Sequence, residues 1–91
     1  MIPSAPTAAL KPIDGLIGPK DLTIETYREY DFGGRVYRIE NPVAFYYREG
    51  GSTHRVVDAA GVVHCVPAPG VNGCVLRWRN RSVEGHVRVR Q

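Results

Sequence analysis

Apolar and polar residues alternate with a period of two through most of this chain, the pattern of strands that bury one face. Residues 23–32 and 35–40 carry it on either side of Gly33-Gly34. A two-glycine loop supplies the positive φ angles that hairpin turns need. Pairing Phe32 with Arg35 sets Tyr30 across from Tyr37 and Glu29 across from Arg38, an aromatic pair on one face and an opposite-charge pair on the other. Ile24, Tyr30, Phe32, Tyr37 and Ile39 are then expected to share the inner face.

Asn41-Pro42 interrupts this hairpin, because proline has no N–H for a central ladder. Residues 43–49 form the next predicted strand, rich in β-formers (Val43, Phe45, Tyr46, Tyr47). Gly50-Gly51 turns it back through 52–58. Asp58-Ala59-Ala60-Gly61 fits a type I turn closed by a left-handed glycine, and residues 62–66 follow. Pairing Asp58 with Val62 would bring His54 and His64 to one face; a two-residue loop would set His54 against Cys65 instead. Residues 67–73 are too proline-rich for a tight hairpin. Two last strands alternate Leu76 and Trp78 with Arg77, Arg79 and Arg81, then Val87 and Val89 with His86, Arg88 and Arg90.

About seven short strands and no helix predict an all-β fold: one small antiparallel meander over residues 21–91, closed as an SH3-like or OB-like barrel or folded as a compact sandwich. Residues 43–47 are apolar on both faces, which favours closure or a second covering surface. Residues 1–20 hold four of the seven prolines and no strand period, so they read as an extended N-terminal arm. Its apolar residues Leu10, Ile13, Leu16 and Ile17 are expected to dock on this molecule or on a partner.

Charge alters the picture only at the C-terminus. Residues 74–91 contain five arginines and one glutamate, a net +4, whereas residues 1–73 carry −1, so the net +3 of the chain is a property of this segment. Trp78 paired with Val89 would keep the apolar residues together and set Arg79 across from Arg88. Apolar burial at ~1.5–3 kcal/mol per side chain outweighs ~0.2–1 kcal/mol per like-charge pair, so that register is expected. Arg77, Arg79, Arg81, Arg88 and Arg90 would then crowd one face. With Trp78, Tyr46 and Tyr47 as stacking platforms, this face predicts an anion or nucleic-acid site. An acidic protein surface is the other polyanion it could meet.

The remaining chemistry is sparse. The spacings of His54, His64, Cys65 and Cys74 match no zinc signature. Cys65 and Cys74 read as free thiols of a reducing compartment, here the cytoplasm. His64 and Cys65 are adjacent, so on a strand they point to opposite faces and do not make a nucleophile–base pair. The sequence therefore predicts a non-enzymatic binding module with no cofactor, no metal and no membrane span. The alternative is a protein–protein assembly subunit, phage-like or other, homo- or hetero-oligomeric, acting through its arm and a strand edge.

Overall fold

The computed structural model describes residues 10–81 and 87–90. These residues are all-β, with eight strands among them: β1 (Ile17–Asp21), β2 (Glu25–Asp31), β3 (Val36–Glu40), β4 (Pro42–Tyr47), β5 (Thr53–Asp58), β6 (Val63–Pro67), β7 (Val75–Asn80) and β8 (Val87–Arg90). They form two four-stranded antiparallel sheets, ordered β1-β4-β5-β6 and β3-β2-β7-β8. No barrel closes among the described residues. Closure would need ladders joining the edge strands, β1 and β6 of one sheet to β3 and β8 of the other, and none forms among the described residues; the single residue Asn41, at φ 50°, turns the chain from one sheet into the other. Its N–H donates to Thr26 O at 2.8 Å and its carbonyl accepts from Ala59 N at 2.9 Å, tying the corner to both sheets.

The first hairpin has the register its sequence predicts: Tyr30 faces Tyr37, Glu29 faces Arg38, and Phe32 N donates to Arg35 O at 2.9 Å. Tyr30 and Ile39 are fully buried, joined between the sheets by Leu22, Val56, Val66, Cys74 and Leu76. Ile24, expected on the inner face, is 54% exposed, because it lies in the turn before β2 where the alternation does not yet apply. Tyr37 keeps the inner face but stands on an edge strand, where it remains partly open to solvent.

The arm boundary also moves. Ile17–Asp21, of which the sequence pattern assigned 17–20 to the arm, is an edge strand paired to β4, with Ile17 across from Tyr47 and Lys20 across from Phe45. An edge position tolerates Pro19. Gly18 permits the close approach: a Cβ there would meet Phe45 O at 2.7 Å. Before β1, Leu10 and Leu16 pack against Val43, Ala44, Tyr46 and Val57 on the outer side of the first sheet. Tyr46 Oη donates to Lys11 O at 2.9 Å. The second apolar face of β4 is thus covered by the chain's own N-terminal segment.

The last hairpin departs from expectation. Trp78 lies across from Arg88, Leu76 from Arg90, Arg77 from Val89 and Arg79 from Val87. The predicted register, with Trp78 across from Val89, assumed that the Trp78 face is sealed core. That face instead borders an open cleft, so an apolar match there gains less, and the observed ladder avoids setting Arg79 against Arg88.

A candidate binding cleft and its buried polar network

Between the two sheets, beside the sealed core, lies a cleft of about 580 Å³. The first sheet lines it with Lys20, Phe45, Tyr47 and His54, the second with Glu25, Arg28, Leu76 and Trp78, and the 67–73 loop adds Pro69. Its walls are largely aromatic. Phe45 and Tyr47 stack with ring centroids 5.8 Å apart, and the His54 ring lies 5.0 Å from Phe45. The Arg28 guanidinium stands 5.2 Å from the Phe45 ring centroid.

A chain of four hydrogen-bonded side chains runs from the cleft into the core. Glu25 and Arg28 form a bidentate pair, Nε to Oε1 and Nη2 to Oε2, both at 2.9 Å, with both residues buried. Two residues three apart on a strand ordinarily face opposite ways. Here the register shifts between Glu25 and Tyr27, where three β2 residues span a single step of β7. That bulge brings Glu25 onto the face of Arg28. Arg28 Nη1 then donates to Tyr30 Oη at 2.7 Å, and Tyr30 Oη lies 2.9 Å from His54 Nδ1.

The protons in this chain can be assigned from its donors. Arginine only donates, so Tyr30 Oη accepts from Arg28 and has its one hydrogen left for His54 Nδ1. With the hydroxyl hydrogen given to His54, Nδ1 is the bare nitrogen and Nε2 carries the hydrogen of the neutral ring. The electrostatics agree. Burial, and then the Arg28 charge, push His54 down to about 4. Burial pushes Tyr30 up to about 12, only partly opposed by Arg28. Burial pulls Arg28 downward, but the Glu25 hydrogen bond and the neighbouring Tyr30 and Glu25 charges together hold it above its ordinary value. At neutral pH the network therefore contains one ion pair, one phenol and one uncharged imidazole.

The six C-terminal residues singled out by sequence do not share one surface. Trp78 lines the cleft. In the β7–β8 ladder Arg88 lies across from Trp78 and Arg90 from Leu76. Arg77 and Arg79 fall on the opposite, outer face, across from Glu29 and Tyr27. Arg77 pairs there with Asp31 at 2.8 Å and lies 3.7 Å from Glu29. Arg38 reaches Glu40 at 2.6 Å and Glu29 at 3.3 Å and lies over the Tyr27 ring. On this face Glu29, Asp31 and Glu40 match Arg38, Arg77 and Arg79 charge for charge. Arg81 is engaged with Thr23 O at 3.0 Å and Asn41 Oδ1 at 3.2 Å, bracing the β1–β2 turn and the sheet-to-sheet corner. Of the predicted stacking platforms, Tyr47 lines the cleft and Tyr46 is buried on the other side of its sheet. The predicted arm residues divide likewise: Leu10 and Leu16 dock on this molecule, Ile17 is in β1, and Ile13 stays partly exposed.

Asp58 N donates to Val62 O at 3.0 Å, the glycine-closed turn that sets His54 and His64 on one face. Each histidine meets a tyrosine of the opposite sheet: His54 meets Tyr30, and His64 Nδ1 lies 2.7 Å from Tyr37 Oη. Among the described residues no group of three or more His, Cys, Asp or Glu is placed to hold a metal. Cys65 and Cys74 are unbridged. Among the described residues no helix is long and apolar enough to cross a membrane.

Sequence patterning assigned none of Lys20, Glu25, Arg28, Phe45 and His54 to a binding site, marking Phe45 only as a strand former and His54 only as a possible neighbour of His64 or Cys65. Only the Arg28-x-Tyr30 alternation hinted at them, by placing an arginine on a face otherwise assigned to core. Comparison with known family models, curated proteins and solved structures gives no match.

Proposed function

We propose that the protein is a non-enzymatic binding module that takes an unpaired nucleobase of a single-stranded nucleic acid into the cleft between its sheets. The observation that supports this reading is the joining of Phe45, Tyr47 and Trp78 with Lys20 around one cavity of about 580 Å³. Aromatic side chains stack on any base, worth ~1–3 kcal/mol per base, while cations beside them meet the backbone phosphates. Lys20 supplies one cation at the rim, and β8, whose sequence carries Arg88 and Arg90, pairs with the strand that holds Trp78. Arg28, held by Glu25, contributes position more than charge. A duplex keeps its bases stacked and paired, so single strands are the fitting form. The two sheets are read here as a sandwich whose core seals one half and leaves the other open for ligand. The unbridged cysteines suit a reducing compartment, and the cytoplasm is the proposed location.

Trp78 is the only tryptophan, so its fluorescence reports the cleft directly. Mixed-sequence single-stranded DNA and RNA oligonucleotides should quench it, and duplexes of the same sequence should not. With about two or three phosphates neutralised, log K should fall against log salt with a slope of roughly −1.4 to −2. Trp78→Leu, followed by anisotropy of a labelled oligonucleotide, should weaken binding ~5- to 150-fold, the range equivalent to one lost stacking contact. Absence of single-strand binding at low salt, or a preference for duplex, would remove this reading.

A further inference from the structure

At the opposite margin of the fold, edge strands β3 and β6 come together through three side chains. Tyr37 Oη lies 2.7 Å from His64 Nδ1, and His64 Nε2 lies 2.9 Å from Asp58 Oδ2. The second carboxylate oxygen, Oδ1, accepts backbone N–H groups from Ala60 at 2.9 Å and Val62 at 3.0 Å. The turn at 58–62 thus fixes the carboxylate, and the carboxylate fixes the imidazole. A hydrogen on Nε2 directed at Asp58 leaves Nδ1 of the neutral ring as acceptor for the Tyr37 hydroxyl. Burial raises Asp58, but hydrogen bonds from His64, Val62 and Ala60 outweigh it and hold the carboxyl below its usual range, so it is ionised at neutral pH.

This is the order carboxylate, imidazole, hydroxyl that activates a nucleophile through an adjacent base oriented by a third group. The hydroxyl here belongs to a phenol that is 41% exposed, and it does not take part in the cleft network.

We propose that Tyr37 is a nucleophilic tyrosine, a site of O-acylation by activated acyl donors, with His64 as its general base and Asp58 as the positioning residue. Tyr37 Oη forms the bond to the acyl carbon while its proton passes to His64 Nδ1. The resulting imidazolium is stabilised by Asp58. The leaving group departs with its bonding electron pair and takes that proton, so the products are O-acyl-tyrosine and the protonated leaving group. An acyl carbonyl is preferred to a phosphoryl donor because the charge beside the relay is the Asp58 carboxylate, which repels anions. The exposed neighbours Val62 and Val63 are uncharged as well.

The test uses the full chain and N-acetylimidazole at pH 8, with acetylation of each tyrosine followed by peptide mass spectrometry. Tyr27 and Tyr47, partly buried and outside any such relay, are the internal comparators. Tyr37 should acetylate at least ~10-fold faster than either, a conservative fraction of what a positioned base contributes. His64→Gln should lower the Tyr37 rate to that of the comparators and leave theirs unchanged. Asp58→Asn should lower Tyr37 alone, whereas a merely structural role would move all three rates together. A wild-type Tyr37 rate no higher than those of Tyr27 and Tyr47 would overturn the proposal whatever the variants do, and so would a Tyr37 rate indifferent to both substitutions.

Discussion

Lowering the pH from 7 toward 4 should destabilise the protein through one residue, His54. Burial and the Arg28 charge lower its pKa from near 6.5 to about 4. A base whose pKa is lower in the folded state binds its proton more readily when the chain unfolds. The unfolded state therefore holds more protons between pH 6.5 and about 4, and stability falls as the pH falls through that window. It is complete above 6.5 and fully reduced below about 4. For a ring wholly shielded from solvent the loss would approach ~3.4 kcal/mol, at 1.36 kcal/mol for each tenfold change in proton affinity. His54 lines an open cleft, so solvent screening brings the expected loss to ~1.5–2 kcal/mol. The Asp58 carboxyl, held below its ordinary value near 3.8, loses its contribution only as the pH falls through and below that value, so the two effects separate. The assay is urea unfolding of the wild type and of His54→Gln at half-unit steps from pH 7 to 4.5. Glutamine can still accept the Tyr30 hydroxyl through its amide oxygen but does not titrate. The wild type should lose ~1–2 kcal/mol relative to the variant across the window, at a constant m-value. A difference that stays flat, or that favours the wild type as the pH falls, would refute the assignment of a buried neutral imidazole.

Tyr30→Phe keeps the ring but removes the oxygen joining Arg28 to His54; it should cost ~2–3 kcal/mol in urea unfolding, since one lost bond has a charged donor and both partners remain partly buried. Glu25→Gln should cost ~3 kcal/mol or more by leaving the Arg28 charge uncompensated, whereas the Glu25→Leu/Arg28→Met double variant should recover most of that loss in thermal melts. Deleting residues 1–16 removes Leu10 and Leu16 from the outer face of the first sheet; at about half burial for each leucine the expected loss is ~2–3 kcal/mol, seen as a lower urea midpoint. Deleting 1–21, which also removes β1, should abolish the cooperative transition.

The period-two pattern by itself determined strands β2 to β8 and the register of the first hairpin. Tyr30 across from Tyr37 and Glu29 across from Arg38 follow from a two-glycine turn and from pairings that are local in sequence. The Asp58 turn was legible for the same reason: Gly61 in the left-handed region, at φ 87°, sets which residues pair across it. Strand β1 was not legible, because Pro19 and Gly18 erase the alternation and only the neighbouring β4 makes an extended segment there worthwhile. The C-terminal register was misjudged because periodicity separates two faces without saying which is sealed. Leu76 and Trp78 share a face, yet Leu76 is buried in the core while Trp78 borders the cleft. The Glu25–Arg28–Tyr30–His54 chain depends on a bulge in β2 and on a histidine brought from the other sheet, 24 residues beyond Tyr30. Neither leaves a mark in local patterning. Side-chain alternation is a property of one strand, whereas a cleft is a property of the distance and facing of two sheets, and only the tertiary structure sets those.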